Sequence, residues 1–271
     1  MDKTSHAFCA DQVKDLDPDR YRMTVLQPPS CRAAMWSVIA FNTEIAKTRE
    51  VVTETQIGHM RLQWWRDRLD EVYSGSKGAW QKNEILSGLS QALKSHDLDI
   101  EDFKALTYAR EFDLENVPPA DMDGLIKYAD LTTTPLNRLI TRIEDTHIDA
   151  KALADISAGY ALIGLVRAIP YHAQQGRIYL PSELLQRHGV SHADILRHAK
   201  PDKLQEIVSK ICKTALSFLT YPQLSSKFLN MSQKTALTYE KRIKKCHFDV
   251  FDLRLRHAGI ALPLSLWWRY K

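Results

Sequence analysis

The stretch from Ala150 to Ile169 carries apolar residues on most sides of a helical wheel, and Pro170 follows it. A helix that is apolar nearly all round cannot lie on a surface and has to be enclosed by other elements. Pro170 ends or kinks it, because proline removes a backbone donor and clashes with the preceding turn. Whatever surrounds this helix should itself be helical. Ten Gly and eleven Pro among 271 residues leave little punctuation for many short strands, and no sustained period-2 alternation occurs.

Helix starts recur along the chain. Asp17-Pro18 pairs a capping side chain with Pro at the first helical position, and Thr134-Pro135 repeats the device. Ser30 is placed to cap a helix running through Met35, Val38, Ile45 and Val52. Further helical periodicity covers Ile57 to Tyr73, Asn83 to Leu98, Ile100 to Leu114, Met122 to Tyr128, Leu136 to Ile143, Lys203 to Leu219 and Ser232 to Cys246. Ser182 opens a short helix after Tyr179-Leu180-Pro181, and Ser191 with Asp194 forms a capping-box start. No repeat or interdomain linker interrupts the pattern. The expectation is one all-α domain over residues 1–271, with 1–15 a flexible N-terminal segment and 258–271 a basic, aromatic tail.

Several function classes lose support. With 37 Lys+Arg against 33 Asp+Glu the net charge is +4, too small to imply a nucleic-acid partner. Cys9, Cys31, Cys212 and Cys246 form no C-x-x-C pair and read as reduced thiols of a cytoplasmic compartment. The first twenty residues hold five Asp and no apolar run, unlike a secretory or transit peptide. The longest apolar run, Ala258 to Trp268, has eleven residues, against the roughly 20 of a spanning helix. No P-loop, G-x-G-x-x-G or G-x-S-x-G is present, which removes support for nucleotide chemistry and for a nucleophile elbow.

Four constellations carry possible chemistry. Glu50 and Glu54, four apart on one expected helix with Glu44 nearby, could hold a divalent cation; a solvated face paired with Lys47 and Arg49 is the commoner arrangement. Trp64, Trp65 and Tyr73 could line an apolar cavity, although aromatics at helical spacing more often pack a core. His188 and His192 are four apart, but Gly189 lies between them and no further ligands are near, so a zinc site is not expected. From Tyr239 to Lys271, eight Lys/Arg face three acids, and the end reads Trp267-Trp268-Arg269-Tyr270-Lys271. Alternating aromatics and cations suit an anionic headgroup layer, as they also suit a packed terminal helix with a basic end.

Read as a set, these segments resemble the squalene/phytoene synthase family: AFNTEIAKTREVV (from Ala40), RLQWWRDRL (from Arg61), AREFDL (from Ala109), Tyr128, and GYALIGLVRAIPYHAQQGRIYLP (from Gly159), with Tyr239 and DVFDLR (from Asp249) near the end. The resemblance implies an all-α isoprenoid-synthase-like helical bundle around a central cavity. It also implies head-to-head joining of two prenyl diphosphates on Mg²⁺ held by two facing Asp-rich motifs, since hard oxygen ligands are needed to position metals against a departing diphosphate. Cavity or ligand-binding positions by resemblance are Phe41, Trp64, Trp65, Tyr128, Arg167, Ala168, His172, Arg177 and Tyr179.

Both acidic motifs are altered. At the first, this chain offers Ala46, Lys47 and Glu50; at the second, Ala168 and His172 stand where the family has aspartates. Alanine is no Mg²⁺ ligand and imidazole a poor one. The pattern resembles the divergent branch typified by mitochondrial complex I assembly factors and their bacterial relatives. The leading expectation is therefore a member without Mg–diphosphate catalysis and without a cofactor, peripheral on the inner face of a membrane through Trp267, Trp268, Arg269, Tyr270 and Lys271. It would bind a prenyl lipid or serve respiratory-complex subunits as an assembly factor. The alternative is an active prenyltransferase acting on a prenyl diphosphate, with Glu50, Glu54 and Asp113 forming an atypical Mg²⁺ site.

Overall fold

A computed structural model describes residues 3–255, and the tail from 256 onward, with its aromatic–cationic end, lies outside the described residues. The described residues contain helices and turns but no strand. In chain order the helices are α1 (Lys3–Leu16), α2 (Pro18–Val25), α3 (Pro29–Ala46), α4 (Thr48–Val51), α5 (Thr55–Ser74), α6 (Glu84–Ser95), α7 (Ile100–Ala109) and α8 (Glu111–Glu115). The second half supplies α9 (Met122–Ile143), α10 (Ala150–Arg167), α11 (Ile169–Gln174), α12 (Ser182–Arg187), α13 (His192–Leu196), α14 (Pro201–Phe218) and α15 (Lys227–Lys245).

The helix expected to be enclosed is α10, and it packs against α9, α14 and α15. Leu153, Ile156, Leu162, Ile163 and Val166 are all buried on it. Gly159 permits the close approach of α14: a Cβ there would sit 2.7 Å from Leu219 Cδ2 and 3.1 Å from the Ala215 carbonyl. A polar link joins α9 to α10, with Asn137 Nδ2 donating to Ser157 Oγ at 2.8 Å. The hydroxyl passes the bond on, donating to the Leu153 carbonyl at 2.6 Å, and the pair ties the register of the two helices while Asn137 Oδ1 stays without a partner.

The N-terminal segment is ordered helix rather than the flexible stretch expected. Cys9 and Val13 of α1 are fully buried against α3 and α6, and Gln12 donates to Glu44 at 3.1 Å. An apolar residue every fourth position gave α1 a face to bury, which five aspartates in the surrounding sequence obscured. Asp17 caps α2 as anticipated, accepting from Arg20 N at 3.0 Å. Ser191 and Asp194 form the full capping box.

Three local expectations are corrected. Pro28, not Ser30, is the residue before α3, and Pro29 takes the first helical position. Pro135 does not start a helix: it lies inside a continuous α9 whose buried side packs on α3, α7 and α10. Burial of thirteen α9 residues outweighs the loss of one backbone donor. Third, α3 does not run on to Val52. It stops at Ala46, makes the single turn α4, and goes extended at Val52 before α5.

Candidate functional site

That last break decides the first carboxylate set. Glu50 sits in α4 and Glu54 is the extended residue preceding α5, so the two do not share a helix face, and both are exposed. Glu44, the third acid of the set, is already engaged by Arg61 at 2.5 Å and Lys47 at 3.6 Å. Glu44 is taken up in ion pairs, and Glu50 and Glu54 stand on separate elements, so the three acids do not form one cation-binding face.

A cavity of about 600 Å³, open to solvent on one side, lies among the helices. Its wall is assembled from the start of α2, Asn42 of α3, Arg110, the middle of α9, one side of α10, α11 and Tyr239 of α15. Among the residues expected there, Tyr128, Arg167, Ala168 and His172 do line it. Arg177 and Tyr179 lie next door, in a closed apolar pocket of about 10 Å³ that also touches His172. Arg177 there donates to the Arg49 carbonyl at 3.1 Å, tying the chain after α11 to α4.

Phe41, Trp64 and Trp65 do not line the central cavity. Phe41 and Trp65 meet edge to face at 5.5 Å inside the core, with Phe103 at 5.4 Å from Phe41. Trp64 is 40% exposed on the outer side of α5, with Arg68 over its ring. The helical spacing of the Trp pair served the core, where edge-to-face aromatics pack well. Of the two histidines tested for zinc, His188 pairs with Glu206 at 2.9 Å.

Asp113 is buried and its oxygens are spoken for. Oδ1 accepts from Tyr128 at 2.6 Å and from Tyr179 at 2.9 Å, and Oδ2 faces Arg110 at 3.4 Å. Burial first, and the Asp113 charge second, hold both phenols well above the ordinary tyrosine range. Next to this group His172 packs 4.7 Å from the Tyr179 ring. Burial lowers its pKa from 6.5 to about 4, against the pull of Asp113, so the imidazole is neutral near pH 7.

A second ionic group occupies the other side of the cavity, and of its members only Arg167 was expected there. Asp17 accepts from Arg20 at 2.6 Å, while Arg20 lies 5.0 Å from the Tyr160 ring centroid. Asp19, 8% exposed, accepts from Arg167 at 3.1 Å, from Arg22 at 3.1 Å and from Tyr239 at 3.0 Å. Arg167 stacks over the Tyr239 ring at 3.3 Å, and burial pushes that phenol up to about 12. Burial opposes the Arg20 charge, but Asp17 and Tyr160 more than offset it and raise its pKa. Arg167 and Tyr239 carried a signal through the resemblance, whereas the run Asp17-Pro18-Asp19-Arg20 looks like any solvated helix start until the tertiary fold packs Asp19 away.

The Mg²⁺ implied by the resemblance finds no fitting donor set here. Ala168 and His172 present a methyl and a neutral imidazole, Glu50 and Glu54 point to solvent from separate elements, and Asp113 is saturated by hydroxyl and guanidinium donors. Among the described residues no group of three or more His, Cys, Asp or Glu is placed to hold a metal ion. Hard cations need several convergent oxygens.

Comparison with known proteins agrees with this architecture. A family model described as squalene/phytoene synthase matches residues 13–258. The NADH dehydrogenase (ubiquinone) complex I assembly factor 6 of Mus musculus is 28% identical over 98% of this chain and 82% of its own length. The presqualene diphosphate synthase of Rhodopseudomonas palustris is 25% identical over 89% of this chain and 84% of its own. Among solved structures, a dehydrosqualene synthase in complex with ligand superposes with a TM-score of 0.79 at 15% identity, covering 99% of this chain and 95% of that one. The likeness in structure shows the isoprenoid-synthase fold, and the family match, spanning most of the length, carries the assignment: the chain belongs to the squalene/phytoene synthase family.

Proposed function

We propose that this protein keeps the synthase fold and its cavity without metal–diphosphate catalysis, and that it acts as a membrane-peripheral, lipid-binding assembly factor for a respiratory complex. The observation that carries the reading is the cavity wall at Ala168 and His172, where neither residue offers an oxygen to a metal and no carboxylate on the wall is without a cationic partner. The similarity to complex I assembly factor 6 supports the assembly role. Among the described residues no helix is long and apolar enough to cross a membrane, so contact with a bilayer would fall to surface residues and to the tail with Trp267 and Trp268.

The test is depletion and rescue in the source cell. Loss of the chain should lower assembled complex I, and a Glu50→Ala, Glu54→Ala double variant, stripped of the exposed acids a synthase would need, should restore it fully. Unchanged complex I on depletion overturns the assembly role. Rescue by the wild type alone, with the double variant folded, favours the prenyltransferase. Flotation with anionic liposomes should weaken when Trp267 and Trp268 are replaced by Ala; unchanged flotation rejects the tail as an anchor.

A further inference from the structure

We propose that the central cavity takes one uncharged amphiphilic molecule, and that Asp17, Asp19 and Asp113 are the residues that exclude diphosphates from it. The inference deepens the reading above and rests on its claim that no metal–diphosphate chemistry occurs here.

Three arginines reach the cavity wall: Arg20, Arg110 and Arg167. Each has an aspartate of its own, Asp17 at 2.6 Å, Asp113 at 3.4 Å and Asp19 at 3.1 Å. Asp19 is held further by Tyr239 and Arg22, and Asp113 by Tyr128 and Tyr179. The imidazole of His172 adds no charge near neutral pH. A diphosphate entering without metals would therefore meet no uncommitted cation. It would have to displace a carboxylate tethered beside its arginine, and a tethered group competes at a very high effective concentration. The displaced carboxylate would also repel the incoming anion.

What remains on the wall suits a neutral molecule with one polar end. Ile163, Leu165, Ala236 and Val250 supply apolar surface. Asn42, Thr132 and Thr133 bring uncharged amide and hydroxyl groups to the same wall. A ligand hydroxyl can exchange hydrogen bonds with such groups without bringing a charge. The volume of about 600 Å³ falls within the range of a site for a single small ligand. The adjoining apolar pocket, at about 10 Å³, is barely the size of one water, so an apolar chain has to lie within the main cavity.

The experiment is calorimetric titration of the full chain in excess EDTA with farnesol, farnesyl diphosphate and inorganic pyrophosphate as separate probes. The wild type should bind farnesol saturably at one per chain, bind farnesyl diphosphate at least tenfold more weakly, and give no heat with pyrophosphate. Asp19→Asn, which releases Arg167 and Arg22, should shift the preference toward farnesyl diphosphate by tenfold or more. Asp17→Asn, which releases Arg20 on the same wall, should shift it in the same direction and serves where Asp19→Asn does not fold. The proposal is overturned if the wild type binds farnesyl diphosphate as tightly as farnesol, if farnesol does not bind, or if a folded variant keeps the wild-type preference. Because every arm is metal-free, a synthase activity found with Mg²⁺ would sink the non-catalytic reading without being confused with any of these outcomes.

Discussion

Replacing His172 with Gln should flatten the acid side of the stability curve. In the folded protein burial holds this imidazole's pKa near 4, against 6.5 in the unfolded chain. Above about pH 6.5 both states are neutral and the residue contributes no pH dependence. As the pH falls, the unfolded chain takes up a proton that the folded one refuses, so stability declines. Below about pH 4 the folded form protonates as well and the loss levels off. Integrating the two titrations gives a loss of about 2 kcal/mol between about pH 7 and about pH 5. Since the ring keeps some solvent contact, the expected size is about 1–2 kcal/mol. Asp113 opposes this shift while Arg177 reinforces it, so the measured loss reports the balance around one side chain. The assay is urea unfolding of wild type and His172→Gln at both pH values, taking the difference of differences so that other titrating groups cancel. Parallel decline of the two proteins would refute the buried neutral imidazole.

Three other perturbations follow from the same structure. Asp113→Asn keeps the shape but removes the charge shared by Arg110, Tyr128 and Tyr179, and should cost about 3 kcal/mol in chemical denaturation; a cost under about 0.5 kcal/mol would contradict the buried ionic group. Gly159→Val drives a side chain into Leu219 and the Ala215 carbonyl and should destabilise by about 2 kcal/mol or more, read as a lowered Tm; a wild-type Tm would contradict the tight α10–α14 contact. Burial raises the Cys9 thiol to about 11 and the Cys212 thiol to about 12, so in the native protein half-buried Cys31 should be labelled well before either; equal labelling rates would contradict that burial.

Helix α10 was legible because a long run without a polar face leaves one physical solution, although it ends at Arg167, two residues short of Ile169, and Pro170 sits in the first turn of α11. The capped starts at Asp17 and Ser191 were legible because a short polar side chain in the right place satisfies orphan backbone donors. The stop at Ala46 was not, since Lys47 and Thr48 are both compatible with helix and no local signal marks the break. The same local ambiguity made Glu50 and Glu54 look like a pair. At the site, the altered second acidic motif could be read from Ala168 and His172 directly. The Asp19–Arg167–Tyr239 group joins residues up to 220 positions apart, and no local pattern announces it. The Trp pair misled in the opposite sense, because the apolar period of a cavity wall and that of a packed core are the same.

The central claim is that the cavity lacks synthase chemistry, and product analysis tests it most directly. Purified protein would be incubated with farnesyl and geranylgeranyl diphosphates, Mg²⁺ and NADPH, and the extracted lipids analysed by mass spectrometry. The account predicts no head-to-head product above a protein-free control. A head-to-head product that disappears on Glu50→Ala would contradict it.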